Sequence, residues 1–161
     1  MKKINHFLFE DKRSSIIWLV ARIYVGWQWF HAGWEKLMSQ AWVGSNAGSA
    51  ISGFLNGALA KAGGEHADVM NFYAWLIKHA FLPGAPLMSY LVVAGEILVG
   101  IALIIGFKTK ESAIAGSFMN FNYLFAGTIS TNPLLLLIQI LIIVAHKISG
   151  WIGVDRFLKK K

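Results

Sequence analysis

Cysteine is absent from the chain of 161 residues, and charged residues are scarce. Without cysteine there can be no disulfide, no thiolate-bound metal, no iron–sulfur cluster and no covalently attached c-type haem. Any redox chemistry would need a diffusible cofactor, a histidine-ligated centre or a partner chain. Charged residues make up 14% of the sequence, against about 25% in soluble domains, so an ordinary soluble domain is not expected.

Apolar and aromatic residues dominate instead. The chain is 56% hydrophobic, has a mean hydropathy of +0.54 and contains 7 tryptophans. Tryptophan is enriched where membrane helices leave the bilayer, and Lys and Arg are enriched on the cytoplasmic side. The composition therefore predicts a membrane protein. The net charge of +7 is assigned to its cytoplasmic surface, and no nucleic-acid partner is expected.

Four apolar segments are candidate membrane-spanning helices. They cover about residues 15–34, 87–107, 112–128 and 133–148. Each approaches the roughly 20 residues that a helix needs to cross a bilayer, although the last two are short. We therefore predict an all-α fold, a polytopic membrane four-helix bundle that forms a single domain over residues 1–161.

The long segment between the first two spans, about residues 35–86, contains two amphipathic stretches. In the first, Ile51, Leu55 and Leu59 share one helical face, but nearby glycines make this helix weak in water. The second, about residues 65–82, is rich in aromatic side chains and also carries charge. We predict two interfacial helices that lie on the membrane surface.

The distribution of lysine and arginine sets the predicted orientation. With four spans and both termini in the cytoplasm, only Lys36, Lys61 and Lys78 lie on the outer side. A fifth crossing would move the turn at 107–111 and the lysine-rich tail outside, against the positive-inside bias. The prediction is a multi-pass protein of the cytoplasmic membrane with the 35–86 segment on the extracytoplasmic face.

Two charged residues lie inside the apolar segments, Arg22 in the first span and Glu96 in the second. A charge in hydrocarbon costs at least about 2.5–3.5 kcal/mol, so such residues usually pair, face the interior or line a path for a polar substrate. Their predicted depths allow a direct ion pair. Either the pair only fixes helix packing, or Arg22 and Glu96 are catalytic residues that handle protons or an anion.

Aromatic and cationic residues cluster near the outer end of the first span. Trp27, His31 and Trp34 follow the i, i+4, i+7 spacing of one helical face, and Lys36 follows two residues later. Such a cluster could hold an anion or stack on a quinone ring, or it could be an interfacial aromatic belt with a snorkelling lysine. The candidate substrate-binding residues are His31, Lys36 and His79. The candidate quinone-binding residues are Trp27 and Trp34.

No haem or other metal centre is expected. His31 and His146 would fall near opposite membrane faces in this topology, so they cannot ligate one iron. No other pair of histidines has a ligand spacing.

Three motifs, in this order, resemble those of a known family. An arginine in the first span is followed by HAGWEKL at 31–37, and AGEILVGIALIIGFKTK at 94–110 places a glutamate early in a helix. GWIGVDRFL at 150–158 completes the pattern. With these motifs the chain resembles the DoxX family of small four-helix membrane proteins, which includes the DoxD-type large subunit of thiosulfate:quinone oxidoreductase.

The resemblance implies a quinone-linked oxidoreductase subunit of the cytoplasmic membrane. It would oxidise thiosulfate to tetrathionate and pass the electrons to a diffusible membrane quinone, with functional expectations on Arg22, Lys36 and Glu96. The expected partners are the lipid bilayer, a small anionic sulfur substrate, a DoxA-like second subunit or a soluble redox partner, and further copies of the chain in a homo-oligomer. The alternative is a non-enzymatic anchor or scaffold for a redox or thiol-homeostasis partner.

Overall fold

The computed structural model describes residues 2–63, 65 and 67–158, with side chains from residue 4 onward. Every regular element in these ranges is helical, as predicted for the fold class. The helices are α1 (Lys2–Glu10), α2 (Ser15–Leu37), α3 (Ser49–Ala60), α4 (Asn71–Leu76), α5 (Ala85–Ile105), α6 (Thr109–Phe125), α7 (Asn132–Val144) and α8 (Asp155–Leu158). A 3-10 turn joins α1 to α2, and a π-helical turn over Ile77–Phe81 extends α4.

The predicted segments coincide with helices, with shifted ends. The four candidate spans are α2, α5, α6 and α7, and the two amphipathic stretches are α3 and α4 with its π turn. α5 ends where Gly106 takes up a left-handed conformation (φ +70°), which glycine adopts without strain. α7 ends at Val144, four residues before the predicted end, because the chain continues from Ala145 in a series of turns.

The four long helices pack against one another in a closed order. α2 lies along α5, α5 contacts α6, α6 lies along α7, and α7 contacts α2. Glycine makes the first of these contacts unusually close. A Cβ atom added to Gly100 would lie 2.5 Å from the backbone N of Phe30, and one added to Gly33 would lie 2.9 Å from the backbone N of Ile97. The α2 and α5 backbones therefore meet without side chains between them.

Two separate apolar cores hold the protein together. One lies among the four long helices and includes Trp18, Leu103 and Ile142. The other lies under α3 and α4 and includes Leu55 and Ile77. α3 and α4 thus form a cap on one end of the helices, the end where α2 finishes and α5 begins.

Of the described helices, α5 alone is long and apolar enough to cross a membrane by length and composition. Only 33% of its most apolar window is buried inside the protein, so it is not simply a core helix. α2 is 23 residues long but less apolar. α6 and α7 have 17 and 13 residues, fewer than the roughly 20 that a crossing needs.

Candidate functional site

A buried carboxylate with two partners lies between three helices. The ammonium Nζ of Lys36 is 2.7 Å from Oε2 and 2.9 Å from Oε1 of Glu96. The hydroxyl of Tyr123 donates to Oε1 at 2.6 Å. The Glu96 side chain is 1% exposed, so its charge is stabilised by these two groups and not by bulk water. We call this group the Lys36–Glu96–Tyr123 cluster.

Helix direction and close packing bring Lys36 to Glu96. Long helical side chains lean toward the N-terminus of their own helix. Lys36 sits in the last turn of α2, so its ammonium reaches back toward the middle of the molecule. Gly33, one turn earlier, brings the α2 backbone against α5, where an added Cβ would lie 3.0 Å from the Cβ of Glu96. The ammonium also faces the ring of Trp42 at 5.2 Å, and the lysine side chain remains 21% exposed.

A cavity of about 390 Å³ opens over the cluster, where the two apolar cores meet. It falls within the range of about 300–1,000 Å³ that is typical of small-molecule sites. Its lining residues are Gln28, Trp29, His31, Ala32, Glu35, Lys36, Trp42, Ile51, Phe54, Val92, Glu96, Tyr123, Thr128, Ser130, Thr131, Asn132 and Leu135. The lining combines seven apolar residues, three of them aromatic, with ten polar or charged residues.

The cavity lining contains one permanent cation, Lys36, and two carboxylates, Glu35 and Glu96. Lys36 is compensated by Glu96, and His31 at the rim lies 3.8 Å from Glu35. None of the lining residues is therefore a cation without a neighbouring carboxylate. A strongly charged anion could bind at Lys36 only if the Glu96 carboxylate were protonated and therefore neutral.

A buried amide pair ties together the helices under the cavity. The Nδ2 of Asn120 donates to Oε1 of Gln139 at 2.6 Å, and both side chains are fully buried. With the Gln139 amide turned over, its oxygen accepts from Nε1 of Trp29 at 2.9 Å instead, and its nitrogen faces Asn120. Gln139 of α7 therefore contacts α6 in one orientation and α2 in the other, in agreement with the helix-connecting role of amides in apolar surroundings.

Two polar contacts hold the cap on the long helices. The hydroxyl of Tyr73 donates to the backbone oxygen of Asn122 at 3.0 Å, and Nζ of Lys61 donates to the oxygen of Gly127 at 2.8 Å. Burial raises the pKa of Tyr73 to about 12, so its hydroxyl stays protonated and able to donate. The cap therefore has fixed attachments beside the cavity.

The predicted ion pair between Arg22 and Glu96 is wrong. The Arg22 guanidinium donates to the carbonyl of Ile152 at 2.7 Å, beside Gly106 and Gly153 at the opposite end of the helices. Arg22 and Lys36 are 14 residues apart on α2, or about 21 Å along its axis. Both side chains lean toward the helix N-terminus, so Arg22 leans away from Glu96 while Lys36 leans toward it.

Of the remaining predicted site residues, some line the cavity and others lie outside it. His31 and Lys36 line the cavity, whereas Trp27, Trp34 and His79 do not. Trp27 and Trp34 lie on the exposed face of α2, although the Trp27 ring contacts the His31 ring at 5.9 Å. His79 is exposed and stacks on Trp75, with Nδ1 2.9 Å from the Trp75 carbonyl.

Sequence reasoning missed Tyr123 and the turn at 128–132. Tyr123 had a signal, because a tyrosine in an apolar helix needs a hydrogen-bond partner when it is buried. The turn at 128–132 had a weaker signal, since a run of small polar residues is typical of an ordinary loop between two helices. Ser130 in that turn has a left-handed backbone (φ +39°), a conformation that is uncommon outside glycine.

No group of three or more His, Asp or Glu side chains within the described ranges is placed to hold a metal ion. The groups available for chemistry in the cavity are thus an ammonium, carboxylates, a phenol and an imidazole. Such groups can bind and orient a ligand and exchange protons with it.

These features define a helical protein with a buried cluster of Lys36, Glu96 and Tyr123 under a cavity. The DoxX family model matches residues 17–128, which contain the whole Lys36–Glu96–Tyr123 cluster. The chain belongs to the DoxX family. This family is membrane-associated and often linked to quinone oxidoreductase functions. No curated protein and no solved structure matches the chain.

Proposed function

We propose that the chain is a membrane-embedded, quinone-linked oxidoreductase subunit whose cavity binds the quinone and whose Glu96 exchanges protons with it. The supporting observation is the Glu96 carboxylate, 1% exposed, held by Lys36 and Tyr123 at the floor of a cavity of about 390 Å³. Buried ionisable groups in apolar helices are functional-site candidates by default.

In this proposal α2, α5, α6 and α7 all cross the cytoplasmic membrane. Each of them exposes large apolar side chains, as Val20, Leu98, Phe118 and Leu137 do on the four helices in turn. Soluble monomers rarely expose extended apolar patches, whereas lipid-facing helices do so along their length. The shortness of α7 is offset by local thinning of the bilayer.

The same proposal places both termini in the cytoplasm and the cap outside. The lysine and arginine distribution described above supports it, because the positive-inside bias is strong for short loops. The cavity then opens in the outer half of the membrane.

Quinone reduction needs two electrons and two protons. The cavity offers Trp29, Phe54 and Leu135 as apolar walls for a quinone ring. A quinone oxygen near the floor would meet Glu96 and the Tyr123 hydroxyl, both able to pass protons. Trp27 and Trp34, on the exposed side of α2, would stack on a quinone that approaches from the bilayer.

The electron donor in the proposal is thiosulfate, as the resemblance implies. Two thiosulfate dianions form one sulfur–sulfur bond and release two electrons, which pass with two protons to the quinone to give tetrathionate and quinol. A cation in surroundings of low dielectric would oppose the repulsion between the dianions. Lys36 and His31 are the cavity residues that would do so.

The ion pair between Lys36 and Glu96 adds a condition to anion binding. When Glu96 is protonated, Lys36 loses its partner and can hold an anion. When Glu96 gives its proton to the quinone, its carboxylate forms the ion pair with Lys36 again, and tetrathionate is released. Anion binding at Lys36 and proton transfer from Glu96 are then coupled.

The test is thiosulfate-dependent reduction of a water-soluble quinone analogue by the purified full-length chain in lipid nanodiscs. The proposal predicts reduction that saturates with thiosulfate. A chain that binds no quinone analogue and gives no reduction contradicts it and favours the scaffold alternative. If the chain binds quinone but needs an added DoxA-like subunit or soluble redox protein for turnover, the proposed quinone site is supported. The proposal that a single chain is sufficient for activity is then contradicted.

A further inference from the structure

A second cavity lies at the opposite end of the molecule, far from the Lys36–Glu96–Tyr123 cluster. It is an open groove of about 480 Å³ between the start of α2 and the segment that leads into α8. Its lining includes three cationic residues, Lys12, Arg13 and Arg156. The start and end of α2 are about 30 Å apart at 1.5 Å per residue, so the two cavities are separate sites.

The groove is positively charged without compensation from its lining. No Asp or Glu lines it, and the three cations form no ion pair in the described part of the chain. The two carboxylates next to these cations in the sequence accept hydrogen bonds from backbone N–H groups. Asp11 accepts from the Arg13 backbone N–H at 2.9 Å, and Asp155 accepts from the Thr109 backbone N–H at 2.9 Å.

Trp151 holds two of these cations in place. The Lys12 ammonium lies 4.3 Å from the centre of the Trp151 ring, and the Arg156 guanidinium lies 5.4 Å from it. Each contact is a cation–π interaction, which favours this position of the long side chain. The cations therefore point to one place before any ligand binds.

Apolar side chains border the charged floor. Phe157 is 74% exposed and Ile16 is 64% exposed, and both line the groove. From Ile16 an apolar strip continues along α2 through Val20 and Ile23, both also exposed. A small inorganic anion would leave this strip uncovered, whereas an anion carried on acyl chains would cover it.

We propose that this groove binds the phosphate headgroup of an anionic phospholipid from the inner leaflet. Lys12, Arg13 and Arg156 contact the phosphate, and the acyl chains run along the exposed face of α2. Basic pockets between membrane helices on the cytoplasmic side have this chemistry. The inference uses the proposed membrane orientation and is independent of the redox activity.

The experiment compares lipid binding by the full-length chain in a neutral detergent. Thermal unfolding is followed while phosphatidylglycerol or phosphatidylcholine with identical acyl chains is added. Phosphatidylglycerol should raise the midpoint at concentrations where phosphatidylcholine has little effect. Lys12→Gln and Arg156→Gln should each weaken phosphatidylglycerol binding about fivefold, since a surface cation contributes about 1 kcal/mol to attraction by anionic lipid.

Lys110→Gln is the matched control. Lys110 is exposed near the same end of the molecule, at the start of α6, and does not line the groove. This variant should bind phosphatidylglycerol like the parent. If it loses as much affinity as Lys12→Gln, the attraction is diffuse and the proposed site is overturned.

Two further results would overturn the proposal. Equal stabilisation by both lipids would show that the headgroup charge is not recognised. Stabilisation by inorganic phosphate equal to that by phosphatidylglycerol would show a site for a free anion, without the acyl contacts. If Arg156→Gln does not fold, the proposal is tested by the two lipids on the parent chain and by the phosphatidylglycerol affinity of Lys12→Gln.

Discussion

Lys36 and Glu96 are 60 residues apart in the sequence and form a salt bridge with an N–O distance of 2.7 Å. The two partners differ in exposure, because the lysine side chain is 21% exposed and the glutamate side chain 1% exposed. Lys36 can therefore turn toward water when it loses its partner, whereas Glu96 cannot. Removal of Lys36 and removal of Glu96 should consequently lower the free energy of unfolding by different amounts.

Lys36→Met should destabilise the protein more than Glu96→Gln. Removal of one partner from a buried pair costs about 3–5 kcal/mol when the remaining charge stays buried, which is the case for Glu96. The free energy of unfolding in detergent measures this. In the double variant, Glu96→Gln should recover part of the loss caused by Lys36→Met, and a double variant less stable than Lys36→Met would show that the pair is not the cause.

Tyr123→Phe should lower stability by about 1.5–3 kcal/mol, the usual range for a hydrogen bond to a charged group. The change removes the hydroxyl that donates to Glu96 at 2.6 Å and leaves the ring. Tyr90→Phe is the control, because Tyr90 is exposed on α5. Equal melting temperatures of the two variants would argue against a strong bond at Tyr123.

Gly33→Ala should destabilise the protein by about 1–3 kcal/mol, as overpacking of a close contact does. The added methyl would meet the α5 backbone and separate Lys36 from Glu96. In a helix alanine is otherwise favoured over glycine by about 0.5–1 kcal/mol. Gly53→Ala, in α3 with nothing within 4 Å of the added atom, should therefore be neutral or stabilising. Similar behaviour of the two variants would contradict the close contact between α2 and α5.

Cysteine labelling tests the proposed topology without background, because the chain contains 0 Cys. A cysteine at Gly63 in the cap should react with an impermeant thiol reagent in intact cells. A cysteine at Lys110 should react only after the membrane is opened. The reverse pattern would place the cap inside and refute the proposed orientation.

Apolar segment length and turn residues were enough to predict the positions of the main helices. Pro83 and Gly84 before α5 and Gly106 after it mark real boundaries. The end of α7 was not predictable, because no glycine or proline follows Val144 until Gly150. α1 was not predicted because its sequence is short and polar.

The partner of Glu96 could not be predicted from depth along the helices alone. Arg22 and Lys36 are both cations on α2, and the choice between them depends on the direction in which helical side chains lean and on the Gly33 contact. Tyr123 was missed because its role requires the register of α6 against α5, which the sequence pattern does not encode. The sequence grouped His31 and Lys36 with Trp27 and Trp34 at the outer end of the first span, but only His31 and Lys36 line the cavity. Trp27 and Trp34 lie on the exposed face of α2.

The central claim, that Glu96 exchanges protons with a quinone in the cavity, is tested most directly by quinone reduction in Glu96→Gln. The parent, Glu96→Gln and the exposed control Glu111→Gln are compared in nanodiscs, with rates normalised to folded protein and quinone binding measured separately. The account predicts that Glu96→Gln binds the quinone analogue but reduces it at least about 100-fold more slowly, the usual contribution of a general acid. Glu111→Gln should match the parent. A folded Glu96→Gln that reduces quinone at the parental rate would contradict the account.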